Sequence, residues 1–341
     1  MSSGNASDVP KTFHVHARAI DAQEGRFTLE GAPRIEHPER AAVILLADPF
    51  SFPTKAFLDL FQERYPGLPV VGGMASGASA PGGNRLFTRD ETHRHGALAI
   101  VVEGSVGVRP VVSQGCRPVG EPFVVTDTKD NVVKSLGGKP AAAVLREMLE
   151  GLSVEEGRLF RTGPFLGFAV DASKSEFSRS DFLVRGILGV DLKAGAFAVS
   201  DSSVRRGTTV QFLVRDAASA GEDLSHAIVE HGGGPIADGT NAGALLFSCN
   251  GRGSRMFKAA DHDISLVRKG LGRAIPTAGF FAMGEVGPVG TKNFLHGFTA
   301  SVALFRERGE ESRRERGEES RRERGEGSRR ERGEGPRRER G

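Results

Sequence analysis

The tightest constraint on this chain lies between residues 41 and 71. The apolar run Ala41–Ala47 (AAVILLA) is strand-sized and ends at Asp48-Pro49, because the residue before a proline is pushed out of regular helix. Thr54–Tyr65 (TKAFLDLFQERY) follows, with Phe57, Leu58 and Phe61 on one helical face and Thr54 as the expected N-cap. Pro66-Gly67 stops that helix, and Leu68–Val71 (LPVV) is the next strand. A strand, an amphipathic helix and a second strand make a β-α-β unit, which commits this region to a sheet with a helix on its face. The stretch Gly72–Gly83 (GGMASGASAPGG) then reads as a mobile loop over a pocket. It lacks both the Gly-Lys-Ser/Thr ending of a P-loop and the G-x-G-x-x-G spacing of a dinucleotide fold. Ala97–Glu103 and Val106–Val112 read as strands joined by Gly104-Ser105, a hairpin candidate.

The alternation resumes after Asn131. Helical patterns cover Pro140–Leu149, Asp216–His231 and Asp261–Gly270. Strand patterns cover Phe165–Val170, Phe182–Val190, Ala196–Val199, Thr209–Arg215, Ala244–Ser248, Ala278–Met283 and Phe298–Phe305. The expected class is α/β: two domains, 1–126 and 127–306, each with a mixed β-sheet flanked by helices. The 341 residues suffice for two domains at roughly 100–200 residues each.

Beyond residue 306 the chain changes character, and the span 307–341 is expected to be a disordered low-complexity tail. From Arg313 it repeats with a period of eight (RRERGEES) and carries no apolar residue to offset the entropy of ordering. Counted from Arg306, it holds 14 Arg and 11 Glu, which accounts for the whole net charge of +3. The body is therefore neutral, which argues against a folded nucleic-acid-binding surface. The polar N-terminus has no signal-peptide h-region, and no apolar run approaches the ~20 residues that span a bilayer. With only Cys116 and Cys249, both read as free thiols, a cytoplasmic location is expected.

Four segments carry the chemistry. In Ser-Cys-Asn-Gly-Arg-Gly, Asn250-Gly251 is a turn pair, and Gly251 and Gly253 let the backbone approach a ligand. Arg252 then either pairs bidentately with a ligand carboxylate or is a solvated turn residue. Cys249 is either a reactive thiol or a small buried hydrophobe. Gly284-Glu285 reads as a glycine-bounded turn with a carboxylate placed to grip an ammonium group. Asn293 and His296 follow in Asn-Phe-Leu-His-Gly-Phe. Cys249, His296 and Glu285 also invite a Cys-His-Glu catalytic reading, that of a cysteine-dependent hydrolase or transferase. His14/His16 and His93/His95 each share a strand face but lack a recognised ligand spacing, so no metal and no cofactor are expected.

Several of these segments resemble the FIST family. They are VVGGMASG (Val70–Gly77), VSQGCRPVG (Val112–Gly120), FLVRGILGVD (Phe182–Asp191), VQFLVRDA (Val210–Ala217), SCNGRG (Ser248–Gly253), GFFAMGEVGPVG (Gly279–Gly290) and FLHGFTASVALFR (Phe294–Arg306). Only about seventy residues precede the first motif, so a shortened first domain is expected. The resemblance implies a sensory protein of signal transduction that binds a small molecule, with amino acids as the ligand class. It also implies a protein-interaction scaffold as an alternative, with a signalling protein as partner. On this reading Cys249, Asn250, Gly251, Arg252, Gly253, Gly284, Glu285, Asn293 and His296 line one pocket.

Overall fold

A computed structural model describes residues 10–21, 26–172, 174, 177, 181–201, 204–232, 241–272 and 274–307. The expected tail beyond residue 307 lies outside the described residues. The first sheet holds β1 (Lys11–Asp21), β2 (Arg26–Glu30), β3 (Ala42–Ala47), β4 (Val70–Met74) and β7 (Ala97–Val102), with β5 (Leu86–Phe87) and β6 (Thr92–His93) as a small separate ribbon. Helix α1 (Thr54–Arg64) connects β3 to β4, which pair in parallel as the β-α-β pattern requires. Val15, Val43, Leu45 and Val70 bury one sheet face against Phe57, Leu58 and Phe61 of α1. Each such buried phenylalanine contributes on the order of 1.5–3 kcal/mol. Thr54 is the first helical residue rather than the cap; its hydroxyl turns to the Met74 sulfur.

The hairpin expected at Gly104-Ser105 does not form. β7 pairs with β3 and β1, whereas β8 (Val106–Gln114) joins β20 (Thr299–Glu307), β16 (Asn241–Cys249) and β17 (Thr277–Ala282) in a four-stranded sheet. The turn, with Gly104 at φ 89°, therefore carries the chain from one sheet to another. The exchange is mutual. β18 (Glu285–Val289) and β19 (Lys292–His296) form a hairpin that extends the first sheet beside β4. The two sheets pack face to face through Ile44, Val71, Val102, Phe247 and Ala303. Gly73 makes that approach feasible: a Cβ there would lie 2.9 Å from Ala282 Cβ and 3.3 Å from the Phe247 ring. The outer face of the small sheet is covered by α4 (Ala217–Gly232) and α5 (His262–Gly270), through Leu224, Ile228 and Val267.

The chain between these elements closes on itself. β9 (Cys116–Lys129), β15 (Thr209–Arg215), β12 (Pro164–Ala169), β13 (Phe182–Asp191), β14 (Ala196–Val199) and β10 (Val132–Leu136) pair in that order, and β10 pairs back onto β9. The result is an antiparallel barrel, with β11 (Lys139–Pro140) attached to β10. α2 (Ala141–Glu150) and α3 (Val154–Thr162) bring Val144, Leu145, Met148 and Phe160 into its apolar cluster with Val125, Val133, Phe197 and Phe212. α3 opens on a capping box, Ser153 with Glu156, a signal present in the sequence as Ser-Val-Glu-Glu. The protein is thus α/β with mixed sheets and flanking helices. Residues 126 and 127 lie inside one continuous strand, β9, and strands from both halves build both open sheets. Among the described residues no helix is long and apolar enough to cross a membrane.

Candidate functional site

The site begins at the end of β16. Strand alternation sends Ser248 toward α5 and Cys249 to the opposite face. The chain then turns at Asn250-Gly251 and drives Arg252 inward, where it is 1% exposed. Asp263, near the start of α5, receives it in a bidentate pair: Nε donates to Oδ2 at 2.8 Å and Nη2 to Oδ1 at 2.9 Å. Ser248 Oγ donates to the same carboxylate at 2.6 Å, and His262 Nδ1 lies 2.9 Å from it. Burial alone would push the Asp263 carboxyl up. The Arg252 fork, Ser248 and His262 outweigh burial and hold it below the usual carboxylate range. Arg252 is therefore neither a solvated turn residue nor a free fork for a ligand. Its third nitrogen, Nη1, is buried without a hydrogen-bond partner and faces the backbone at Gly115.

Glu285 was expected in a turn but opens strand β18, opposite Gly73 on one side and His296 on the other. It is 0% exposed. One carboxylate oxygen accepts the Thr299 amide at 3.1 Å; the other, Oε1, is buried without a partner. Burial pushes its carboxyl well above the ordinary value, against the Thr299 amide, the Cys249 thiol and the Arg252 charge. Cys249 is pushed up to about 11, first by burial and then by the Glu285 charge. Cys116, in the same neighbourhood, is pushed up to about 12 by burial. Both thiols are free and buried, and burial outweighs the Arg215 and Arg252 charges at Cys116 and the Gly251 and Phe298 backbone groups at Cys249 that would favour a thiolate.

His296 is buried and gives Nε2 to the Gly287 carbonyl at 2.9 Å; burial lowers its pKa to about 4. The His296 Nε2 that a Cys-His-Glu constellation would turn to the Cys249 thiol is engaged by the Gly287 carbonyl. Asn293 is spent on backbone: Oδ1 accepts the Val70 amide and Nδ2 donates to the Leu68 carbonyl, both at 2.8 Å. It stitches β19 to the entry of β4. Gly284 abuts Met74, where a Cβ would lie 2.5 Å from the methyl carbon. Asn250 donates its backbone amide to Ala282, which completes the turn. The nine expected residues thus divide. Cys249, Gly251, Arg252, Gly284 and Glu285 form a buried core, and the remainder lie at turns, stitches and walls.

Two clefts flank this core. One, of about 550 Å³, has Gly253, Ser248, Asp263 and His262 along its polar side and Phe280 and Phe281 along its apolar side. The other, of about 460 Å³, lies between β13 of the barrel and α1 with β19 of the first sheet. Its walls are the Phe-Leu-Val-Arg-Gly and Phe-Leu-His-Gly-Phe segments. Sequence reasoning singled out His296 and Asn293 there but missed Arg185, Asp201, Lys55 and Asp59. Arg185 was legible as the only charge within an otherwise apolar strand start. It donates Nε to Asp201 at 2.6 Å and Nη1 to the carbonyls of Val184 and Leu295 at 3.0 and 3.3 Å. One guanidinium thus ties both walls together. Lys55 and Asp59 pair at 3.0 Å across one turn of α1, with more than half of each side chain exposed. Among the described residues, no group of three or more His, Cys, Asp or Glu side chains is placed to hold a metal ion.

Two interlocked sheets, a closed barrel and a polar cleft where they meet define a ligand-scale α/β module. The chain belongs to the FIST family: the FIST N domain matches residues 3–139 and the FIST C domain residues 141–288. FIST domains are sensory domains of signal transduction. The chain is similar to "Uncharacterized protein Mb0898c" of Mycobacterium bovis, 45% identical over 272 residues, which covers 80% of this chain and 69% of that protein. It is also similar to "Uncharacterized protein Rv0628c" of Mycobacterium tuberculosis, 45% identical over 295 residues, which covers 86% of this chain and 75% of that one.

Proposed function

We propose that this protein senses a small zwitterion of the amino-acid class, bound in the cleft between the barrel and the first sheet. The observation that carries the reading is the charge balance of the lining: Lys55 and Arg185 against Asp59 and Asp201. A ligand with a carboxylate and an ammonium a few ångströms apart needs one group of each sign within reach. Lys55 and Asp59 are suited to exchange partners, because an exposed i,i+4 pair stabilises by only about 0.3–0.5 kcal/mol and is cheaply given up. Arg185 and Asp201 are held in place, so the far wall is preorganised. Occupancy of a cleft between two structural units would then bias their separation, which is how a binding event becomes a signal.

The test is a thermal-shift screen of amino acids and related zwitterions, followed by calorimetry on Lys55→Ala and Asp59→Asn. A ligand at 100 times its Kd stabilises the folded state by about 2.7 kcal/mol. At least one zwitterion is expected to raise the midpoint, and each variant to weaken its binding at least tenfold while leaving the unliganded midpoint in place. If no zwitterion shifts the midpoint, or if both variants bind as the parent does, the reading fails.

A further inference from the structure

We propose that His14, His16, His93 and His95 form a proton-responsive latch on the loop that leads into α1. Only the last step, from that loop to ligand binding, rests on the cleft reading above. Strand β1 places His14 and His16 on one face, and the β6 segment lays His93 over them. The His14 ring centroid lies 3.8 Å from that of His16 and 3.5 Å from that of His93. His14 Nε2 also bonds the His95 carbonyl at 2.9 Å. The segment carrying His93 and His95 is thereby held to β1 by imidazoles at stacking distance.

That segment ends at Gly96, and Gly96 fastens the loop. Its carbonyl accepts the Asp48 amide at 2.9 Å, and its amide donates to Ser51 Oγ at 3.0 Å. Ser51 Oγ in turn donates to Asp48 Oδ2 at 2.5 Å, and Asn84 donates to Asp48 Oδ1 at 2.9 Å. The helix starts three residues after Ser51, and its first turn presents Lys55 to the cleft, with Asp59 one turn on. There is no slack at the junction. A Cβ on Gly96 would lie 3.0 Å from His14 Nε2, 3.3 Å from His16 Nδ1 and 2.5 Å from the Val15 carbonyl.

Neutral imidazoles pack edge-on and tilted at these distances, whereas two adjacent imidazolium ions repel. The groups facing His14 are His16 on its own strand and His93 and His95 opposite; Leu98, its register partner on β7, does not titrate. Glu91 lies 3.7 Å from His93 Nε2. Glu30 of β2 stands opposite His16 in register, and Arg94 is exposed between the two distal histidines. Burial, and then the neighbouring histidines acting against the His95 carbonyl, lower the His14 pKa from its ordinary 6.5. A histidine lowered in the closed state stabilises that state above its ordinary pKa and loses the contribution as pH falls through it. Each additional proton taken up by the open state favours opening by up to about tenfold per pH unit.

The test is ligand-free amide hydrogen exchange at Gly96 and Asp48 between pH 7.5 and 5.5, corrected for intrinsic rates. Protection at these two amides is expected to fall at least about tenfold more than at Leu246 and Val302 in the small sheet. In His14→Gln/His93→Gln the excess fall should vanish. Protection that changes no more than at the control amides, or that changes equally in the double variant, overturns the latch. Imidazole Cε1–H shifts of the parent protein give a readout that does not depend on the variant folding. His14 is expected to titrate below the ordinary histidine range, and four unperturbed titrations also overturn the proposal. If protection falls as expected while no zwitterion binds at either pH, the latch stands and the cleft reading fails.

Discussion

Removing Arg252 tests whether the inward turn at Ser248–Gly253 is a structural centre. Arg252→Met keeps the aliphatic length but deletes the fork that gives Asp263 two of its hydrogen bonds. Ser248 and His262 would be left to hold a buried carboxylate that is 6% exposed. Breaking a buried pair by removing one partner costs about 3–5 kcal/mol, because the remaining charge is uncompensated. Unfolding a body of about 300 residues carries an entropy near 0.6 kcal/mol/K, so the expected loss in midpoint is about 5–8 °C by scanning calorimetry. Asp263→Asn alone should cost a similar amount. The double variant should lose about 1.5–3 kcal/mol less than the sum, since neither charge is then left alone. A midpoint within 2 °C of the parent for Arg252→Met, or strictly additive single effects, would refute the reasoning. Either result would mean that Arg252 reaches solvent or a ligand instead of Asp263.

Two further outcomes follow from the same geometry. Asn293→Ala should destabilise by about 1–3 kcal/mol in urea denaturation, because it leaves the Val70 amide and the Leu68 carbonyl buried and unmatched; a change under 0.5 kcal/mol would show that this stitch is dispensable. With its pKa pushed up to about 11, Cys249 should be thiolate in only about one molecule in a thousand at pH 8. Iodoacetamide should therefore label Cys249 no faster than the protein unfolds, and rapid labelling of the folded protein would reopen the nucleophile reading.

The sequence by itself determined what short-range physics controls. The β-α-β unit at residues 42–74, the register of α2, α4 and α5 and the buried strand leading to Cys249 follow from apolar periodicity and from turn residues within a few positions. The neutral body and the Arg/Glu repeat are likewise matters of composition. Tertiary structure alone decided which strand pairs with which. Gly104-Ser105 has the local chemistry of a hairpin, yet β8 finds its partner in β20, nearly two hundred residues away. The strand starting at Glu285 reads locally as a glycine-bounded turn, yet β18 is extended, paired with β19 in a hairpin and with Gly72 and Gly73 of β4. Arg252 reads as a ligand fork or a solvated turn charge until Asp263 is known to wait beneath it. For β8 and Arg252 the deciding energy is a long-range pairing or the satisfaction of a buried charge, neither of which leaves a periodic trace in the chain. The cleft shows the same division: its Phe-Leu-Val-Arg-Gly and Phe-Leu-His-Gly-Phe walls were both visible as segments, but Lys55 and Asp59 entered it only because α1 packs beside β19.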